Sequence, residues 1–125
     1  MRPKSETLTA QELEIMKAIW PIGQATVRQV YDELRSRKSV AYTTVQTMMN
    51  ILETKGHLAR KPGDKANIYT PTRHQQAVVQ SMVKEFVSRV FDGSSRPLLV
   101  HLLKDKALNA RERSALERLL KSEDE

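Results

Sequence analysis

The sequence predicts a mainly α-helical protein: a winged helix-turn-helix of three helices plus a β-hairpin wing, followed by a C-terminal helical dimerisation arm. Three observations carry that expectation. Capping boxes at Thr9 and Thr26 each open an apolar stripe of helical spacing. A third stripe starts after a short basic break and ends at Gly56. Two segments of strand character then flank a Pro62-Gly63 turn, and the chain beyond Pro71 reads as helix again.

The first helix opens at Leu8-Thr9-Ala10-Gln11-Glu12-Leu13. Thr9 can accept from the amide of Glu12, Glu12 can reach back to Thr9, and Leu8 can staple onto Leu13. Leu13, Met16, Ile19 and Trp20 form its expected buried stripe, and Pro21 stops it. Thr26-Val27-Arg28-Gln29 repeats the capping logic for a second, short helix that buries Val27, Val30, Tyr31 and Leu34. The third helix is expected over about residues 41–55. It buries Val45, Met48, Met49 and Leu52 and closes at Gly56, a residue suited to a left-handed cap. The wing is read as 57–61 and 66–70 around Pro62-Gly63-Asp64-Lys65. A fourth helix runs from near Thr72 to Phe91 and breaks at Asp92-Gly93. A fifth opens near Arg96-Pro97, and a sixth is capped by Asn109 and Glu112. The expected division is residues 1–71 as a winged-helix DNA-binding domain and 72–125 as the arm.

Charge narrows the partners. The 125 residues carry a net charge of +6, and the pI is near 9.8. Residues 1–71 hold 11 Lys and Arg against 7 Asp and Glu, so the excess leans toward the N-terminal part. Such a field attracts polyanions, of which nucleic acid is the commonest. No apolar run approaches the length of a membrane span and no apolar leader follows Met1, so a cytoplasmic location without membrane contact is expected. With no cysteine, disulfides, thiolate metal sites and thiol nucleophiles are excluded.

The third helix carries the functional expectation. Its outer face offers Tyr42, Thr43, Thr44, Gln46, Thr47 and Asn50, hydrogen-bonding groups with almost no charge. A solvated face would normally carry Lys and Glu, whereas base edges in the major groove are read by side chains of this kind. These six are the expected base-contacting residues. Arg35, Arg37 and Lys38 before the helix, with Arg60, Lys61 and Lys65 around the wing, are the expected phosphate contacts. The competing reading is a Thr-rich helix whose hydroxyls bond back to the chain.

Each of the last two helices is too short to be stable alone, and their leucine stripes need a partner surface. Val83, Phe86, Val90, Leu98, Leu99, Leu102, Leu103, Leu116, Leu119 and Leu120 are the expected dimerisation residues. A two-fold homodimer would match a palindromic operator in double-stranded DNA. Enzyme chemistry finds no support: His57, His74 and His101 are scattered, and Ser94-Ser95 lacks a nucleophile elbow. No Gly-rich phosphate loop is present, and no cofactor or metal is expected. Two other classes stay open at this point, a winged-helix protein-interaction module and a ligand-sensing regulator with a pocket between arm and wing. The uncharged third-helix face speaks against the first, and the paucity of aromatics speaks against the second.

Leu8-Thr9, Glu14-Ile15-Met16 with Ile19-Trp20, Tyr42-Thr43-Thr44-Val45-Gln46-Thr47, Leu52-Glu53-Thr54-Lys55-Gly56 and Tyr69-Thr70-Pro71 together resemble the penicillinase-repressor (BlaI/MecI/CopY) family. Val90-Phe91-Asp92-Gly93-Ser94 is similar to that family's junction into its dimerisation arm. The resemblance implies a bacterial dimeric repressor acting on a palindromic operator, with β-lactamase, copper-export or respiratory genes as typical targets and antibiotic resistance as one setting. It also implies an inactivating protease as a partner, which in some members cuts an Asn-Phe bond in the arm. His101-Leu102 stands at that position here, so the chain departs from that bond. The copper-responsive branch relies on a cysteine cluster, which this chain lacks.

Overall fold

The computed structural model describes residues 7–105 and 107–124. The elements are α1 (Ala10–Ile19), α2 (Val27–Arg35), α3 (Tyr42–Thr54), β1 (Leu58–Pro62), β2 (Asn67–Pro71), α4 (Gln75–Phe91), α5 (Arg96–Leu103) and α6 (Ala110–Asp124). The chain divides into two compact units, residues 1–80 and 81–125.

Local chemistry accounts for the helix starts in the first unit. Thr9 Oγ1 accepts from the Glu12 amide at 3.1 Å, and Glu12 Oε1 accepts from the Thr9 amide at 3.0 Å. The same reciprocal pair forms between Thr26 and Gln29, at 3.2 and 2.8 Å. Both boxes satisfy amides that a helix start leaves without intrahelical partners. The helix α3 ends on Lys55, and Gly56 follows at φ +90°, the left-handed conformation that glycine adopts without steric cost.

The core sits among α1, α2, α3 and the hairpin. Ile15, Met16, Ile19, Val30, Val45, Met49, Leu52 and Leu58 are its fully buried side chains. Each stabilises the unit by about 1.5–3 kcal/mol through removal of apolar surface from water. The α1 stripe differs from the expected one. Leu13 and Trp20 are only half-buried, while Ile15, Ala18 and Glu12 join Met16 and Ile19 inside. Helix α1 packs against α2, α3 and β2, so its buried face is wider than a single stripe and is centred on Ile15 and Ile19. Trp20 keeps its indole N–H at the surface, donating to the Arg73 carbonyl at 3.1 Å. Tyr31 and Met48 are likewise half-buried at the edges of their stripes.

The strands pair antiparallel from Leu58↔Pro71 to Pro62↔Asn67, so each lies one residue later than expected. The reason is the turn. The Gly63 amide donates to the Ala66 carbonyl at 3.0 Å, closing the loop inside Pro62 rather than before it. A Cβ on Gly63 would lie 2.5 Å from that carbonyl oxygen and 2.9 Å from the Ile68 side chain, so only glycine fits. A third chain segment joins the hairpin: the Ala25 and Tyr69 backbones exchange hydrogen bonds of 3.0 and 2.8 Å.

In the second unit, Asp92 at φ +54° and Gly93 at φ +89° form the break after α4. Asn109 and Glu112 make the expected capping box for α6, at 2.8 and 3.1 Å. Arg113 donates to the Leu103 carbonyl and Arg96 to the Leu120 carbonyl, tying α5 to α6. No helix among the described residues is long and apolar enough to cross a membrane.

Candidate nucleic-acid interface

The inner face of α3 is held by Val45, Met49 and Leu52, all fully buried. That packing turns Tyr42, Thr43, Thr44, Gln46, Thr47 and Asn50 outward, and all six are exposed. Among the described residues, the side chains of Thr43, Thr44, Gln46 and Thr47 make no hydrogen bond within the chain. Only Thr54, a turn beyond Asn50, bonds back, its hydroxyl donating to the Asn50 carbonyl at 3.1 Å. The reading in which these hydroxyls are consumed by their own helix therefore holds for Thr54 and not for the expected readers.

Two contacts on this face were not legible beforehand. Tyr42 packs edge-on against Tyr31 of α2, with ring centroids 5.4 Å apart. Arg35 and Arg28 lie over the Tyr31 ring at 5.2 and 5.8 Å and share Asp32 as a carboxylate partner at 3.4 Å. Asn50 Oδ1 accepts from the Tyr69 hydroxyl of β2 at 2.8 Å, which joins the wing to α3.

The expected phosphate contacts fall into two groups. Arg35, Arg37 and Arg60 are paired on the surface with Asp32, Glu33 and Glu53, at 3.4, 3.6 and 3.7 Å. Exposed pairs of this kind contribute little, about 0–1 kcal/mol, so each guanidinium can exchange its carboxylate for a phosphate. Lys38, Lys61 and Lys65 have no ion-pair partner among the described residues, and all three are exposed. Lys38 and Thr44 are brought together at the rim of a cleft of about 210 Å³, floored by Ile15, Leu34, Val45 and Met48.

The far end of α3 is anchored from inside. Glu12 is 5 % exposed, and the Lys55 ammonium donates to both its carboxylate oxygens at 2.9 and 3.0 Å. Burial is the largest single influence on Glu12 and works to raise its pKa. The Thr9 amide, the Lys55 ammonium and its charge, and the Thr9 hydroxyl together outweigh it and hold the carboxyl below its usual value. Glu12 was visible as a capping residue, but nothing local marks a partner 43 positions away.

The family model described as "Penicillinase repressor" matches residues 8–122. The chain belongs to the penicillinase repressor family. It is 32% identical over 111 residues to the transcriptional regulator BlaI of Mycobacterium tuberculosis, covering 87% of this chain and 79% of that protein. It is 26% identical over 117 residues to the penicillinase repressor of Bacillus licheniformis, covering 94% and 91%. The solution structure of monomeric Bacillus licheniformis BlaI in complex with the blaP half-operator superposes with a TM-score of 0.51 at 30% identity, covering 58% of this chain and 89% of that one. The winged-helix fold is thereby shared with this repressor family.

The arm of this penicillinase repressor differs from its first unit in one respect. Beyond Val78 no apolar side chain among the described residues is buried. Val83, Phe86 and Val90 on α4, Leu102 on α5 and Leu119 on α6 are exposed. Leu98, Leu99, Leu103, Leu116 and Leu120 are half-buried. Phe91 packs at 5.9 Å from Phe86 and 6.0 Å from His101, so the ring of His101 is a packing partner. His57 is buried where α3 meets β1, and no group of three or more metal-ligating side chains gathers among the described residues.

Proposed function

We propose that this DNA-binding repressor acts as a homodimer on a palindromic operator in double-stranded DNA, in the cytoplasm, by binding and not by catalysis. In this reading residues 1–71 dock on DNA and 72–125 pair two copies. Helix α3 enters the major groove, where Thr43, Thr44, Gln46 and Thr47 meet base edges first, flanked by Tyr42 and Asn50. Lys38, Lys61 and Lys65, joined by Arg35, Arg37 and Arg60 once these leave their carboxylates, meet phosphates and set affinity and register.

The observation that carries this reading is the outward face of α3, an uncharged row of donors and acceptors with free hydrogen-bonding capacity. The half-operator complex of the Bacillus licheniformis BlaI supports it by kinship. Pairing is supported by the apolar surface that the arm leaves exposed.

The test is selection of bound sequences from random duplex DNA by the full chain in the presence of a strong chelator. A palindromic consensus, retained with chelator, is the expected outcome. Recovery of no consensus, or binding that collapses with chelator alone, would overturn it. Release from DNA then comes from outside the chain. A protease cut between Phe91 and Leu103 would separate the paired helices and remove the gain that two linked half-sites enjoy.

A further inference from the structure

We infer that Arg28 contacts the DNA backbone together with Arg35, because both guanidiniums are seated on the Tyr31 ring beside the first residue of α3. The inference rests on the placement of α3 in the major groove proposed above, and adds to it one contact and the residue that positions it.

Arg28, Tyr31, Asp32 and Arg35 follow spacings of three and four along α2 and so share one of its faces. The stripe of Val27, Val30 and Leu34 beside them is buried. The Arg28 and Arg35 guanidinium carbons lie 5.8 and 5.2 Å from the Tyr31 ring centroid, within the range of cation–π attraction. Each guanidinium approaches the same oxygen of Asp32 through its Nε, at 3.4 Å. Neither donates a hydrogen bond among the described residues, so the N–H groups that suit a phosphate remain available on both. Two guanidiniums against one carboxylate leave the row positive.

Tyr31 also ties this row to α3. Its ring meets the ring of Tyr42, the first residue of α3, edge-on at 5.4 Å. In a helix-turn-helix the first helix crosses the DNA backbone while the start of the second enters the groove. Here α2 is the crossing helix, and the face of it that touches the start of α3 carries Arg28 and Arg35. A free surface arginine gives up side-chain freedom when it takes a phosphate, and one already laid on a ring gives up less. Tyr31 is thus a positioning residue for both arginines, and Arg28 joins Arg35 as a phosphate contact.

The experiment uses the full chain and the consensus duplex found by selection. Arg28→Ala should weaken binding to consensus and substituted duplexes alike, on the order of fivefold per bound chain at low salt. It should also lower the salt slope by about one per bound chain. Ethylation of single phosphates should expose at least one whose modification weakens wild type and not Arg28→Ala. Arg28→Lys keeps the charge but not the planar face, and should recover only part of the loss. Tyr31→Phe keeps the ring and should bind like wild type. Tyr31→Leu removes the ring and should weaken binding to all sequences. Adding Arg28→Ala to Tyr31→Leu should then cost less than about a further twofold.

The backbone contact is overturned if Arg28→Ala leaves affinity and salt slope unchanged, shifts preference at a single base step, or gives the same ethylation pattern as wild type. The seat on the ring is overturned if Arg28→Lys binds like wild type, or if Arg28→Ala costs the same with and without the ring. Should Tyr31→Leu fail to fold, Arg28→Lys decides that point. Gln46→Ala and Lys61→Ala are run beside these variants. A silent Arg28→Ala with both controls active defeats this inference alone, whereas silence in all three defeats the α3 reading on which it stands.

Discussion

The two units of this chain bury their apolar residues in opposite measure. Residues 1–80 contain every buried apolar side chain described, from Leu8 to Val78, and three helices with a hairpin close over them. Residues 81–125 contain comparable stripes of Val, Leu and Phe, yet leave Val83, Val90 and Leu119 about half exposed, at 50, 49 and 52 %. The contrast teaches that amphipathic periodicity states only that a face will be covered, not by what. Three helices and a hairpin can enclose a core, whereas α5 and α6 packed on one another still leave part of their apolar stripes uncovered.

The largest effect expected from this contrast comes from removing one unit. A chain ending at Gln80 keeps the whole described core and should fold, run as a monomer in sedimentation and bind operator about 10²–10⁴-fold more weakly, because two linked half-sites no longer reinforce each other. Dimerisation by that fragment would show that the apolar arm faces serve another purpose.

Next in size is a matched pair of truncations, one from each unit. Leu52→Ala should cost about 2–5 kcal/mol in denaturant unfolding, since it opens a cavity in a filled core. Leu119→Ala, at a site already half exposed, should cost far less within a chain and instead raise the dimer dissociation constant. Equal unfolding losses from both would erase the distinction between the units.

A third, smaller effect concerns the one buried ion pair described in the first unit. Lys55→Met should cost about 2–3 kcal/mol, because it leaves the Glu12 carboxylate inside without its charged donor. Glu12 has a carboxyl pKa lowered by folding. Its contribution is therefore present above the ordinary carboxylate range and is lost as pH falls through the folded value. Glu12→Gln should flatten that acid limb of the stability curve, measured by thermal unfolding between pH 7 and pH 3. An unchanged limb would mean that other carboxylates govern acid unfolding.

The finest distinction lies on the DNA face itself. Gln46→Ala should cost about 1–3 kcal/mol at a single base step, while Lys61→Ala should weaken all sequences alike and lower the salt slope by about one. Binding isotherms on consensus and substituted duplexes at several salt concentrations separate the two. Base-specific losses from Lys61→Ala would reverse the assigned roles.

Sequence by itself determined the elements and their order. The capping boxes at Thr9, Thr26 and Asn109, the Gly56 stop and the Pro62-Gly63 turn are local chemistry, decided among neighbours within a few positions. The outward row of Thr and Gln on α3 was legible for the same reason, since spacing along one helix fixes which residues share a face. Tertiary structure alone decided the rest. Which side of α1 is buried depended on being flanked by α2, α3 and β2, so Glu12 went inside and Leu13 stayed at the edge. The Glu12–Lys55 pair, the edge-on Tyr31–Tyr42 contact and the Tyr69–Asn50 bond each join residues from different elements, the two hydrogen-bonded ones across 43 and 19 positions. A one-dimensional pattern carries no signal for such partners, because hydrogen bonds and ion pairs are chosen by distance in space once apolar packing has set the helices in place.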